Sequence, residues 1–204
     1  MVVVGLTGGI ATGKSTAAAA LEAAGAPVVR SDDLARQVVA PGEPALEEIR
    51  AAFGPGVLAA DGGLDRRALG DLVFADAAAR RRLEAITHPR IHARMLAWLQ
   101  ERRAQGLPAA VCDIPLLFEA GYGERGSFVD VVWVVAADPA EQVRRLMRRD
   151  GLGRAAALAR IRAQWPLAEK VRRADLVLDN GASPEDLAAR AKAAWAALLA
   201  GLGA

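Results

Sequence analysis

The chain opens on Val2-Val3-Val4-Gly5-Leu6-Thr7, a continuously apolar, β-branched run of the kind that forms a strand buried on both faces. Residues 15–24 are alanine-rich and strongly helix-forming, and they stop at Gly25, a natural helix C-cap. Pro27-Val28-Val29 predicts a second short strand closing at Asp32-Asp33, and Ala109-Ala110-Val111-Cys112 a third ending at Asp113. Residues 129–136 predict a fourth strand and residues 175–178 a fifth, with Asp179-Asn180-Gly181 as its turn. Helical segments lie between most of these strands. The alternation predicts an α/β fold with a doubly wound, parallel, five-stranded sheet.

One interval is too long for a simple crossover. Between Asp33 and Leu107 the patterning is helical with no convincing strand, punctuated by Pro41-Gly42, Gly54-Pro55-Gly56 and Gly62-Gly63. His88-Pro89 is expected to open a further helix, with proline at its first position. The organisation expected is one domain with a core of residues 1–33 and 107–204 and a helical insertion of about 34–106. The insertion is expected to lean over the carboxyl edge of the sheet, where parallel sheets bind ligands, as an acceptor-binding element.

Composition narrows the class. Hydrophobic residues make up 53% of the 204 positions, enough for a full core and too many for a disordered chain. The formal charge of +2 gives no footing for a polyanion partner, so neither nucleic acid nor membrane is expected. The single cysteine, Cys112, lies in an apolar run and reads as a small core residue. The N-terminal run is short and lacks a basic region, so no signal peptide is read, and a reducing, cytoplasmic setting is expected. Trp98, Trp133, Trp165 and Trp195 read as packing residues.

The chemistry begins where the first strand ends. Gly8-Gly9-Ile10-Ala11-Thr12-Gly13-Lys14-Ser15 matches G-x-x-x-x-G-K-[ST] between a buried strand and a helix, the context this motif requires. Its glycines let successive N–H groups turn inward on a polyphosphate, and the helix N-terminus adds its dipole. Lys14 supplies charge to the β- and γ-phosphates, and the Ser15 hydroxyl is the candidate ligand for Mg²⁺ accompanying ATP. Gly8, Gly9, Ala11, Thr12, Gly13, Lys14, Ser15 and Thr16 are the expected nucleotide-binding residues.

Around this loop stand charged candidates. Asp32 and Asp33 close the second strand, where one can accept a proton from an acceptor hydroxyl and the other cap the following helix. Asp113 ends the third strand, where a carboxylate can reach Mg²⁺ through water or simply cap a turn ahead of Pro115. Residues 144–173 carry nine arginines, with Arg145, Arg148 and Arg149 close together ahead of Gly151-Leu152-Gly153. That pattern suits a lid over about residues 145–172 whose guanidiniums clamp the γ-phosphate. His88 and His92 are the only histidines; His88 is read as facing an anionic acceptor or as serving a helix end.

Several segments beyond the loop make the chain resemble the dephospho-CoA kinase family over almost its whole length. They are residues 5–10, Asp32 followed by residues 35–39, residues 64–69, His88-Pro89, residues 113–119, and Ala174-Asp175 through Asn180-Gly181. The resemblance implies a P-loop kinase fold, with an inserted CoA-binding element and an arginine-bearing lid. It also implies ATP-dependent phosphorylation of the ribose 3′-hydroxyl of dephospho-CoA. Carried over by position, Asp32 takes the general-base place, Lys14 and Arg145 meet the phosphates, and Arg66, His88 and the turn Pro115, Leu116, Leu117 face the acceptor. Arg149 is a further expected nucleotide contact, and Asp33 and Asp113 are further expected acceptor contacts. The chain departs from the family pattern at Ala11, where glycine is usual. It departs again at Arg30-Ser31-Asp32-Asp33, where Asp-x-Asp is common; the register through Ala35-Arg36 assigns the base to Asp32.

Rival readings are a kinase for another small acceptor such as a nucleoside monophosphate, a GTP-dependent switch, and an ATPase acting on nucleic acid. The switch would call for an Asn-Lys-x-Asp segment, and the one asparagine, Asn180, precedes Gly181. The expected assembly is a monomer or weak homo-oligomer.

Overall fold

All five expected strands form. The computed structural model describes residues 1–124 and 126–203. Its strands are β1 (Val2–Gly8), β2 (Val28–Arg30), β3 (Ala109–Asp113), β4 (Val131–Ala136) and β5 (Leu176–Asp179). Every pairing is parallel, in the order β2-β3-β1-β4-β5. The helices are α1 (Lys14–Ala23), α2 (Ser31–Gln37), α3 (Pro44–Phe53), α4 (Arg66–Ala75), α5 (Ala77–Ala104), α6 (Pro139–Asp150), α7 (Arg154–Arg162), α8 (Leu167–Arg172) and α9 (Pro184–Gly201).

Central β1 explains its own composition. Flanked by β3 and β4, it buries Val3, Val4 and Leu6 completely, so no position on it is left for a polar side chain to reach water. Val4 and Leu6 join Val111, Trp133 and Val135 in a cluster sealed by Ala17 and Leu21 of α1 and by Leu187, Ala191 and Trp195 of α9. Each fully buried aliphatic side chain there contributes roughly 1.5–3 kcal/mol. The same burial raises the Cys112 thiol to about 12, so this cysteine is core and not a nucleophile.

Two strands start later than their hydrophobic patterns suggest, for one reason. Asp130 precedes β4, and its carboxylate accepts the Val3 N–H at 2.7 Å. Asp175 precedes β5, and its carboxylate accepts the Val132 N–H at 2.7 Å. Each aspartate replaces a ladder carbonyl and so marks the edge of the sheet. Helix α1 ends in a Schellman motif, with Ala26 N donating to Leu21 O and Gly25 N to Glu22 O, and Gly25 at φ 83°.

The chain divides into two compact units, Met1–Arg30 with Leu99–Ala204, and Ser31–Trp98. The first holds the sheet. The second is helical and has its own core of Val38, Val39, Ala45, Ile49, Val57 and Leu69. Its single extended contact is an isolated antiparallel bridge between Leu58 and Leu64.

Two expectations are corrected in the second unit. His88-Pro89 does not open a helix; both residues lie inside α5. Proline removes one N–H from the ladder, but Leu83, Ile86 and Ile91 pack against the unit's core and carry the helix through. Side chains take up two carbonyls in the turns before the proline: Thr87 Oγ1 donates to Leu83 O at 2.9 Å and Arg90 Nη1 to Ile86 O at 2.6 Å. The second correction concerns Asp32 and Asp33. The strand stops at Arg30 and α2 begins at Ser31, so both carboxylates sit in the first helical turn and neither precedes the helix as a cap. Acidic side chains are favoured there by the helix dipole.

Candidate active site

The site grows from the carboxyl end of β1. After Gly8 the chain leaves the sheet, and α1 begins at Lys14 behind Gly13, which is held at φ 98°. Within the loop, Thr12 folds back on Gly9: its hydroxyl donates to Gly9 O at 2.9 Å and its N–H reaches the same oxygen at 3.3 Å. Thr16 N and Ala17 N donate to Gly13 O. The N–H groups of Ala11, Gly13, Lys14 and Ser15 have no partner among the described residues. Four free donors at the start of a helix form an anion-binding nest.

Lys14 is paired inside the protein. Its Nζ lies 2.5 Å from Asp113 Oδ1, and that carboxylate is only 5% exposed. The pairing follows from the sheet, since β3 neighbours β1 and sets Asp113 beside Leu6. Arg30, opposite Asp113 on β2, brings its Nε to 4.0 Å from Asp113 Oδ2, and its guanidinium is bidentate to Glu22 at 2.6 and 2.7 Å. That hydrogen bond, ahead of opposing burial, holds the Glu22 carboxyl below its ordinary value. Lys14 is thus a charge already balanced by Asp113, ready to be shared with an incoming polyphosphate.

Ala11, where the resemblance leads to glycine being expected, stands at φ 61°, the one non-glycine residue with positive φ among those described. An L-residue in this region costs on the order of 1 kcal/mol. The methyl group recovers part of that by packing with Val143, Leu146 and Ala157. Ala11→Gly is therefore expected to stabilise the protein by about 0.5–1 kcal/mol. Urea denaturation checks this, and a less stable variant would show that methyl packing outweighs the backbone strain.

The remaining first-unit candidates fall into three places. The Pro115 turn abuts the loop's strand, since Thr7 Oγ1 donates to Pro115 O at 3.0 Å; Leu117 is buried and Leu116 is 47% exposed. Arg145 is fixed by Glu141 at 2.7 Å and reaches Asn180 O at 3.4 Å, while Asn180 Nδ2 donates to Thr12 O at 2.7 Å. Only Asn180 separates Arg145 from the loop. Arg149 instead turns to Asp150, at 2.7 Å, and Arg160 shares that carboxylate. Arg148 is exposed.

The second-unit candidates separate. Asp33 accepts from Arg36 Nη1 at 3.3 Å, whereas Asp32 is exposed and makes no hydrogen bond or ion pair among the described residues. Arg66 lines a largely apolar cavity of about 240 Å³ with Ala35, Val39, Leu69 and Thr87. His88 is exposed on α5 and does not line it.

Several residues touching the loop carried no expectation from sequence: Gln142, Gln164, Lys170 and the side chain of Asn180. Lys170 left a trace, as one of three lysines in an arginine-rich chain. The two glutamines left none.

A five-stranded parallel sheet in this order, with a lysine-bearing anion nest after its central strand, defines a P-loop kinase. The chain belongs to the dephospho-CoA kinase family, whose model matches residues 2–186. It is 55% identical to the dephospho-CoA kinase of Anaeromyxobacter dehalogenans, covering 100% of this chain and 95% of that one. It is 51% identical to that of Geobacter sulfurreducens, covering 96% and 98%. Among solved structures, the dephospho-CoA kinase from Campylobacter jejuni superposes with a TM-score of 0.74 at 30% identity, covering 98% of both chains. Among the described residues no helix is long and apolar enough to cross a membrane.

Proposed function

We infer that the chain transfers the γ-phosphoryl group of ATP to the ribose 3′-hydroxyl of dephospho-CoA, giving coenzyme A and ADP. Family membership across residues 2–186 is the observation that carries this. The free N–H groups of the loop, with Lys14, support ATP as the donor. In the proposed reaction the 3′-oxygen attacks the γ-phosphorus, the bond to the β-phosphate oxygen breaks, and the hydroxyl proton passes to Asp32. Lys14 and the nest residues balance charge on the transferring group, with Arg145 and Arg149 closing from the proposed lid over about residues 145–172.

The proposed acceptor element is the helical insertion, with Arg66 at its apolar cavity and Asp33, His88, Asp113 and residues 115–117 as further contacts. A divalent cation belongs to ATP-dependent kinase chemistry, and we assign it as Mg²⁺. The donors available suit a hard cation that arrives with the nucleotide: the Ser15 hydroxyl is exposed at the start of α1, and no cluster of three His, Cys, Asp or Glu forms among the described residues. Bound there, Mg²⁺ would neutralise phosphate charge. The same reading takes the protein as cytoplasmic, without a nucleic-acid partner, and as a monomer or weak homo-oligomer.

A coupled ADP-release assay with dephospho-CoA beside AMP and adenosine tests the assignment. Dephospho-CoA is expected to be the preferred acceptor by a wide margin. Turnover of AMP with none of dephospho-CoA would overturn it.

A further inference from the structure

The loop's carbonyl groups are held from outside the motif. Ile10 O accepts from Gln142 Nε2 at 2.7 Å, and Thr12 O accepts from Asn180 Nδ2 at 2.7 Å. Gly8 O lies 3.5 Å from the buried Lys170 Nζ. Turning carbonyls outward is what leaves N–H groups facing in. One N–H is withheld from that inner set: Ile10 N donates to Gln164 Oε1 at 2.8 Å. Both backbone groups of Ile10 are therefore occupied by amide side chains. One is on α6, and the other follows α7.

The glycines record the same arrangement. A Cβ on Gly9 would stand 2.6 Å from Gln142 Nε2, and one on Gly13 would stand 2.3 Å from Asn180 Nδ2. These two positions give room to the groups that hold the loop. Gln142 is 2% exposed, so its amide has no water to fall back on.

We propose that Gln142 and Gln164 are positioning residues for nucleotide binding, clamping the two peptide groups that flank the Ile10 Cα in opposite senses. Gln142 acts as a donor and fixes the carbonyl outward; Gln164 acts as an acceptor and ends the nest at Ala11. The loop is preorganised by this clamp before any phosphate arrives, so its N–H groups need no reorientation on binding. Because Gln164 follows α7, the clamp also ties the arginine-bearing segment to the loop. The inference rests on the reading of this loop as the nucleotide site.

Glutamate is isosteric with glutamine but only accepts when ionised, so paired variants read the two senses separately. Gln142→Glu sets a carboxylate against the Ile10 carbonyl, whereas Gln164→Glu keeps an acceptor for the Ile10 N–H. Both place a negative charge beside Ile10, one at a buried and one at a half-buried site, so each is also read against its methionine variant, which removes the amide without adding charge. The readout is the Kd of Mg·ADP measured by calorimetry on the full chain. Q142E is expected to bind at least about fivefold more weakly than Q164E, the effect of about one hydrogen bond. Equal affinities, or tighter binding by Q142E, overturn the proposal, as does a Gln142→Met variant that binds Mg·ADP as tightly as the parent, since a buried charge weakens Q142E but is absent from Q142M. If Q142E does not fold, Q164E against Gln164→Met decides: tighter binding by Q164E supports the clamp, and equal or weaker binding overturns it. Parent protein that fails to bind Mg·ADP would instead remove the nucleotide reading itself.

Discussion

Asp32→Asn is expected to lower kcat by about a hundredfold or more while ATP affinity stays within about threefold of the parent. The amide keeps the volume and polarity of the carboxylate but cannot take the proton of the acceptor hydroxyl. The size of the loss is bounded from above by the reaction. Phosphoryl transfer passes through a loose transition state in which little proton transfer has occurred, so alignment and charge neutralisation carry most of the acceleration. Asp33 offers the internal comparison. It lies in the same first turn of α2, but its carboxylate is engaged by Arg36 whereas Asp32 makes no such contact. Asp33→Asn is therefore expected to retain most of kcat. Steady-state kinetics on both variants decide the matter: a large loss in D33N with near-parent turnover in D32N reverses the assignment.

The loop and the strands are legible because each has a local signature. A continuous apolar run announces β1, and glycine spacing with Lys14 and Ser15 announces the nest. Helix α5 was misread for the opposite reason. Pro89 is a strong local signal to start a helix, and it is outweighed by non-local packing of Leu83, Ile86 and Ile91 against a core that no window of sequence shows. The same limit hid the clamp. Gln142 and Gln164 are 132 and 154 residues away from Ile10, and an amide on an arginine-rich stretch looks like a solvated surface residue. Ala11 is the intermediate case. Its place in the motif identified it as unusual, and the positive φ shows what the substitution costs.

The charge pattern of residues 144–173 shows how one composition serves two purposes. Of the nine arginines in that stretch, most read as a solvated helical face and the cluster Arg145, Arg148 and Arg149 as a phosphate clamp. Several are instead spent on neighbouring carboxylates: Arg144 and Arg145 on Glu141, Arg149 and Arg160 on Asp150, Arg172 on Glu169. Arg145 alone of these also reaches a group that touches the loop, the Asn180 carbonyl. Arg149 is itself exposed, so in the proposed lid it can exchange Asp150 for a phosphate. Arg173 is set apart, lying 5.1 Å over the Trp165 ring, which stacks on Phe118. Helix α8 and the turn after β3 are thereby joined beside the loop.

Lys170→Met is expected to cost about 3–5 kcal/mol of stability, the usual range for breaking a buried ion pair from one side. Lys170 is fully buried, with Nζ 2.8 Å from Glu119 Oε1, 3.2 Å from Oε2 and 3.5 Å from Gly8 O. Methionine fills the space but leaves the Glu119 carboxylate, itself only 20% exposed, with backbone N–H donors such as that of Trp165 and no cation. Lys170→Met combined with Glu119→Gln removes both charges and is expected to recover most of the loss. The pair also sets an acid limit. Burial raises the Glu119 carboxyl, but hydrogen bonds from Lys170 and from backbone N–H groups outweigh it and hold the group below its ordinary 4.5. A depressed folded value contributes stability above the unfolded value and loses it as pH falls through the folded one. The contribution of the pair is thus expected to fade only below pH 4.5, whereas in Lys170→Met burial acts with less opposition, the carboxyl rises, and the loss on acidification shrinks, so parent and variant converge as pH falls. Urea melts across pH 4–8 measure both effects. A single variant within about 1 kcal/mol of the parent would show that Glu119 is hydrated well enough to stand alone. A double variant less stable than the single would show that the charged carboxylate, through a stronger bond from Trp165 N–H, stabilises more than its unpaired burial costs.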